Sequence, residues 1–428
     1  MPTTPALGPA DPAVHVHTVR IEEEIDLLEQ VPAHVTAAWL RHGEGMIGVG
    51  TAWECSTSGP ERFTRASDRF RELAARAEVV DEVHTRGSGL VCFGSFSYAA
   101  HSARPSRLVV PRTVLGVHDG EAFLTTVTVQ GAASDLDDPD ARDVLTGFTG
   151  QDAEPGAVVE ITPDHRSEDY QDLVSEVVAR IHGGQAGKVV LSESSTVTTD
   201  RDVSAAQLVG RLARAYPTTW VYHLDDVVGA SPEMLADTRD RRVFSRVLAG
   251  SRPVADGTEL DASDREAFRD DAKERAEHAY AIESVLERLT PLTASLTSSP
   301  EPFVLRLPGL EHLASDVTGL LREGIGSLEV AGTLHPSAAV SGTPRDAADA
   351  IIADLEPRDR GGYASPVGWM DADGDGQWAI ALRMAHIESP RRLRVQAGGG
   401  LVAASDPVVE HAEVLAKCRP MLKALRAQ

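Results

Sequence analysis

The stretch Val367-Gly-Trp-Met-Asp-Ala-Asp-Gly-Asp-Gly-Gln-Trp-Ala-Ile-Ala-Leu-Arg-Met-Ala-His-Ile387 reads as two strands, 367–371 and 378–387, folded about Asp373-Gly374-Asp375-Gly376. Asp-Gly pairs between apolar runs mark hairpin turns, which need residues that tolerate positive φ. The acidic run also invites a calcium-loop reading. That reading fails, because the twelfth loop position is Leu382 and not a bidentate glutamate. Similar hairpins recur outward from here. Residues 35–40 and 46–51 flank Arg41-His42-Gly43-Glu44-Gly45, 114–117 and 122–129 flank His118-Asp119-Gly120, and 220–224 and 227–230 pair across Asp225-Asp226. Further strands are expected at 90–98, 107–110, 188–191, 195–199, 243–248 and 393–397. Helical periodicity covers 60–77, 205–216, 264–288, 344–354 and 407–427. Another helix starts at Ser167 as its cap, carries the stripe Tyr170, Val174, Val177, Val178 and Ile181, and ends at Gly183-Gly184. Hairpins outnumber alternating βαβ units, so the fold class is α/β of the α+β type: antiparallel sheet with packed helices.

The chain has 428 residues, enough for two to three domains or one large α/β unit. Lys+Arg 41 against Asp+Glu 65 gives a net charge of −24. That charge repels phosphate backbones and anionic bilayers, so neither nucleic acid nor membrane is an expected partner. No apolar run approaches the ~20 residues of a spanning helix, and no secretory signal opens the chain, so a cytoplasmic location is expected. Cys55, Cys92 and Cys418 lack metal-ligand spacing and read as reduced thiols. Residues 1–14 read as a disordered tail. The Asp-, Gly- and Ala-rich segment 131–156 reads as a linker, dividing an N-terminal portion, 15–157, from a C-terminal one, 158–428.

Several groups there are candidates for chemistry. Glu410, Glu413 and Lys417 share one face of the closing helix, and Glu274 and Glu277, followed by His278, repeat the spacing on another. Singly, such faces are solvated. Facing each other, their carboxylates repel unless a divalent cation sits among them, and oxygen-only ligands suit Mg²⁺. Pro232 stiffens the turn that presents Glu233. Lys188 opens the apolar run Val189-Val190-Leu191, the place either of a snorkelling edge charge or of a general base whose neutral amine burial favours. Ala397-Gly398-Gly399-Gly400 follows a strand and can bring backbone N–H groups against an anion.

Taken jointly, these pieces resemble the chorismate-binding enzymes. The order Lys188-Val-Val-Leu-Ser192, Gly229-Ala-Ser-Pro-Glu233, Val247-Leu-Ala-Gly-Ser251, Lys273–His278 and Leu334-His-Pro336 is that of the family. It continues through Val340-Ser-Gly-Thr-Pro-Arg345, Arg360-Gly-Gly-Tyr363, Pro366-Val-Gly-Trp369, Gly374-Asp-Gly-Gln-Trp378, Ala381-Leu-Arg383, Ala397–Gly400, Ser405-Asp-Pro407 and Glu410–Lys417. The likeness spans roughly residues 160–425. The earlier part is similar to the N-terminal portion of menaquinone-type isochorismate synthases.

The resemblance implies two related αβ subdomains whose antiparallel sheets sandwich together, helices outside. It implies Mg²⁺-dependent, reversible conversion of chorismate to isochorismate. Water adds at C2 while the C4 hydroxyl leaves, with Lys188 as base and Glu233 as acid. Two positions choose among the family's activities. Lys188 stands where the anthranilate branch carries glutamine, and Ala339 stands where pyruvate-eliminating members usually carry threonine. A salicylate synthase and a silent chorismate-binding paralogue are the alternatives, and no obligate glutamine amidotransferase subunit is expected. By the same resemblance Glu277 and Glu413 bind the metal directly and Glu274 and Glu410 through water. Tyr363, Arg383, Lys417 and the N–H groups near Gly398, Gly399 and Gly400 hold the enolpyruvyl carboxylate. His312 and Ala339 lie beside the ring, and Gly250 and Ser251 touch the ring carboxylate. The product would feed menaquinone or catecholate siderophore biosynthesis. Four positions depart from the family pattern: Glu193 replaces an arginine, Ser365 a glycine, Gly399 a small residue that is commonly alanine, and Glu274 an aspartate.

Overall fold

The computed structural model describes residues 13–130, 148, 156–254, 261–307 and 310–426; the side chains of residues 251, 253, 273, 277, 307 and 310 fall outside that description. The hairpins read from the Asp-Gly turns form as expected and assemble into two sheets. Among the described residues one sheet has 13 strands and the other 10. Their pairings are antiparallel, with one exception: Val14–Ile21 lies parallel to Glu78–Asp81. Both portions of the chain build both sheets. Val35–Arg41 pairs with Trp220–Leu224 in the larger, and Val91–Ser95 with Pro366–Asp371 in the smaller.

One apolar core lies between the sheets. Trp39, Met46, Phe123 and Tyr222 come from the larger, and Phe93, Trp369 and Trp378 from the smaller. Each such side chain contributes about 1.5–3 kcal/mol by leaving water. Trp39 Nε1 donates to Gln377 Oε1 at 2.9 Å, from a strand of one sheet to a strand of the other. A second core lies between the larger sheet's other face and its helices. There Val189, Leu191 and Val395 meet Tyr170, Val174, Leu212, Ile351, Val414 and Met421. The helices are outside, as expected. No helix among the described residues is long and apolar enough to cross a membrane.

Several boundaries differ from the sequence reading, each for a local reason. Val14 is fully buried and opens the first strand, so the tail expected over 1–14 is shorter; residues 1–12, and all of the linker segment but 148 and 156, lie outside the described residues. The N-cap of helix Ser167–His182 is Arg166, and Ser167 is its first helical residue. Lys188–Thr199 is one continuous strand. Its polar middle is satisfied: Ser192 N donates to Glu356 Oε1 at 2.7 Å and Gln396 Nε2 to Ser192 Oγ at 2.9 Å. The long helix expected at 264–288 is two, Ala262–Arg269 and Ala272–Leu289. Asp261 caps the first by accepting from Asp264 N, and Asp271 starts the second by accepting from Glu274 N. Gly398–Gly400 do not follow a strand; they lie inside Arg392–Leu401.

Candidate active site

The expected strand 378–387 is likewise two. Gly376–Ile380 belongs to the smaller sheet and Met384–Ser389 to the larger, and the chain crosses between sheets at Ala381-Leu382-Arg383. A second crossing, Pro232-Glu233, joins Val227–Ser231 of the larger sheet to Met234–Arg239 of the smaller. The two seams are bonded together. Ala230 N donates to Arg383 O at 3.3 Å, Ile380 N to Glu233 O at 3.0 Å, and Ser231 Oγ to Ile380 O at 2.6 Å. Arg383 itself has φ of 50°. A crossing leaves its residues out of both ladders, so Glu233 and Arg383 are held by rigid strands on either side.

Lys188 begins the strand that runs beside the glycines. Leu191 pairs with Gly399. Val190 N donates to Ser341 O and Ser192 N to Glu356, so neither bonds toward the glycines. Strand alternation therefore puts Gly399 in the ladder and turns the N–H groups of Gly398 and Gly400 to the other edge. Only these two can serve an anion. A Cβ on Gly398 would lie 2.9 Å from Tyr363 Oη, and one on Gly400 3.0 Å from Lys188 Cε. Glycine is needed at Gly398, where the Leu191 carbonyl also stands at 2.9 Å, whereas at Gly400 only the flexible end of Lys188 is in the way. Lys417 donates to Gly398 O at 3.0 Å and pairs with Glu413 Oε1 at 2.7 Å, fixing the closing helix against the glycine strand.

Lys188, Glu233 and Ala339 line one cavity of about 440 Å³. Burial pushes the Glu233 carboxyl up to about 7, against the opposing pull of Lys188 and Lys417. Such a group keeps a proton to give near neutral pH. Burial lowers His312 to about 4, with Lys417, Arg383 and Lys188 adding like charge and Glu413 opposing. His312 is therefore neutral. Burial also lowers Arg383, which senses Tyr363 and Glu413. Its guanidinium is half-buried and donates no hydrogen bond to any described residue. A cation in that state suits an anionic ligand. Ser251 stands opposite His312 in the smaller sheet, past an irregularity in the register. Gly250, within it, has φ of 78°, and a Cβ there would lie 3.2 Å from Glu274 Oε2. His278 fixes this bend: its Nδ1 donates to Ala249 O at 3.0 Å while Nε2 accepts from Ser315 Oγ at 2.8 Å.

The carboxylates are less tightly gathered. The Glu277 side chain is outside the described residues, though its helix is as expected. Among the described residues, Glu274, Glu410 and Glu413 do not bring their oxygens into one coordination shell. Burial pushes Glu410 up, Glu413 adds to that, and Ser405 Oγ opposes it by donating at 2.6 Å. Repulsion of the kind Glu413 exerts on Glu410 is what a divalent cation relieves, and oxygen-only ligands suit a hard cation.

Two departures from the family pattern are accommodated. Glu193 is buried and accepts from His411 Nε2 at 3.0 Å. Burial pushes its carboxyl up while His411 holds it down. Ser365 Oγ donates to the carbonyls of Phe96 and Gly362, each at 2.6 Å. Sequence reading quoted Arg360 within a motif but gave it no role. It is buried, doubly bonded to Glu356 at 2.6 and 2.8 Å, and donates to Val340 O and Val190 O at 2.7 Å. It thus ties the strand of Lys188 to the loop of Ala339.

The fold and this constellation place the chain in a family: it belongs to the chorismate-binding enzymes, whose family model matches residues 22–426. The chain is similar to isochorismate synthase DhbC of Bacillus subtilis, 34% identical over 287 residues, covering 64% of this chain and 72% of that one. It is 27% identical over 407 residues to isochorismate synthase MenF of the same organism, covering 89% and 85%. Its fold matches that of MenF, the menaquinone-specific isochorismate synthase from Escherichia coli, with a TM-score of 0.78 and 22% identity over 98% of this chain and 96% of that one.

Proposed function

We propose that the chain is an isochorismate synthase, an isomerase that converts chorismate to isochorismate. The observation that carries this is the pairing of Lys188 with a proton-bearing Glu233 on the wall of one cavity, with Ala339 beside them. Lys188 takes a proton from water as its oxygen bonds to C2. Glu233 gives its proton to the C4 hydroxyl, which leaves as water while the ring double bonds shift. One water enters and one departs. Arg383, Tyr363 and the N–H groups of Gly398 and Gly400 hold the enolpyruvyl carboxylate, and neutral His312 packs by the ring. Glu277 and Glu413 would hold Mg²⁺, with Glu274 and Glu410 on its waters; when bound it supplies the charge that anchors the ring carboxylate. Lys188, in place of glutamine, fits water as the nucleophile and action without an amidotransferase subunit. A cytoplasmic location and a place in menaquinone or siderophore biosynthesis complete the proposal.

Replacing Glu413 by glutamine removes one metal ligand and the partner of Lys417. Turnover in this variant should vanish at limiting Mg²⁺ with the thermal melt little changed. Wild-type rates at limiting Mg²⁺ would remove Glu413 from the metal site.

Ala339 decides between this activity and salicylate synthesis. The wild type should release no pyruvate from chorismate, followed with lactate dehydrogenase and NADH. Ala339→Thr crowds the pocket at a cost of about 1–3 kcal/mol, so it should slow isochorismate formation, and any new product should be salicylate with pyruvate. Wild-type pyruvate release keeping pace with chorismate loss would make the chain a salicylate synthase.

A further inference from the structure

The cavity is shared by groups the reaction does not use. Arg383, Tyr363 and His312 do not line it, whereas Leu248, Val285, Leu334 and Pro344 do. Two polar groups on this part of the wall, Arg288 and Ser337, have hydrogen-bonding capacity to spare. Arg288 donates through Nη1 to the carbonyls of Leu334 at 3.3 Å and Pro336 at 3.1 Å. Its Nε and Nη2 donate to no described residue. Ser337 Oγ, on the residue after Pro336, is buried with no hydrogen-bond partner among the described residues. Arg345 adds like charge beside Arg288, with Asp349, Glu287 and Asp346 opposing. Asp349 is itself engaged by Tyr98, Ser341 and Arg345.

We infer that this part of the cavity is a second binding site, for a small aromatic monocarboxylate, its carboxylate on Arg288 and Ser337 and its ring against Val285 and Leu334. One cation and one hydroxyl donor satisfy one carboxylate, and apolar walls suit a flat ring. In the function proposed above chorismate is anchored by Arg383, Tyr363 and the N–H groups of Gly398 and Gly400, none of which lines this cavity, which separates this site from the catalytic one. The occupied site shares its wall with Lys188 and Ala339, so, resting on the function proposed above, its ligand restrains turnover.

Benzoate is the probe, titrated calorimetrically into the full chain with Mg²⁺ present, with chorismate turnover measured in parallel. Wild type should bind benzoate saturably, with or without chorismate. Ser337→Val should weaken binding about tenfold, the loss of one charge-assisted hydrogen bond, while leaving chorismate turnover unchanged. Ser284→Leu, which narrows the same cavity, should weaken benzoate binding independently. Absence of saturable binding, affinity unchanged in both variants, or displacement of benzoate by chorismate would overturn the inference. A chain that binds benzoate as described but converts no chorismate would overturn the proposed activity alone.

Discussion

Lys188→Ala should lower kcat by about 10²–10⁴-fold, the usual contribution of a general base, and leave chorismate binding nearly intact. In the site proposed above, Arg383, Tyr363 and the two glycine N–H groups hold the substrate, and none depends on the lysine charge. A second readout follows from electrostatics. Lys188 is the leading charge that pulls Glu233 below the value its burial alone would set. Activity needs the protonated Glu233, so kcat/KM of the wild type should decline as pH rises through about 7. Without Lys188 the Glu233 carboxyl holds its proton to higher pH. The residual activity should therefore carry its alkaline limb to higher pH. If the variant keeps more than about a tenth of the wild-type rate, another group is the base. An alkaline limb that stays in place would mean that Glu233 is not the acid seen in the profile.

Arg360→Met should cost about 3–5 kcal/mol of folding stability, because it leaves a buried carboxylate without its counter-charge. Glu356 would keep only the Ser192 N–H, and the carbonyls of Val190 and Val340 would lose their donors. Urea unfolding measures the loss. Adding Glu356→Gln removes the stranded charge and keeps an acceptor for Ser192, so the double variant should recover a large share of it. A single variant within about 1 kcal/mol of wild type would show the pair to be no more than an exposed surface pair.

The sequence shows the hairpins well, since a turn announces itself in two or three residues such as Asp225-Asp226 or Asp119-Gly120. It shows the family because short motifs stand in the family's order along the chain. The crossing at Arg383 is hidden: apolar residues dominate from Trp378 to Ile387, interrupted by Arg383 and His386 alone, and only long-range pairing moves the strand to another sheet. The break at Asp270-Asp271 did carry a signal, an aspartate three residues before Glu274 that can cap a helix. It was outweighed by the helical periodicity on both sides. Arg360 and Glu356 are four apart, a spacing ordinarily met on solvated helices. Nothing local says that both side chains are buried. Glu193 stood out as a reversed charge, and its partner His411 lies 218 positions away.

The seams at Glu233 and Arg383 have a metric consequence. Acid and anchor stand at adjoining corners of one hydrogen-bonded lattice, and no loop intervenes between them. Their separation is a fixed gauge, set by peptide geometry rather than by side-chain choice. That ruler keeps its length for as long as the three bonds between the two seams are kept, whatever side chains stand elsewhere on the rim.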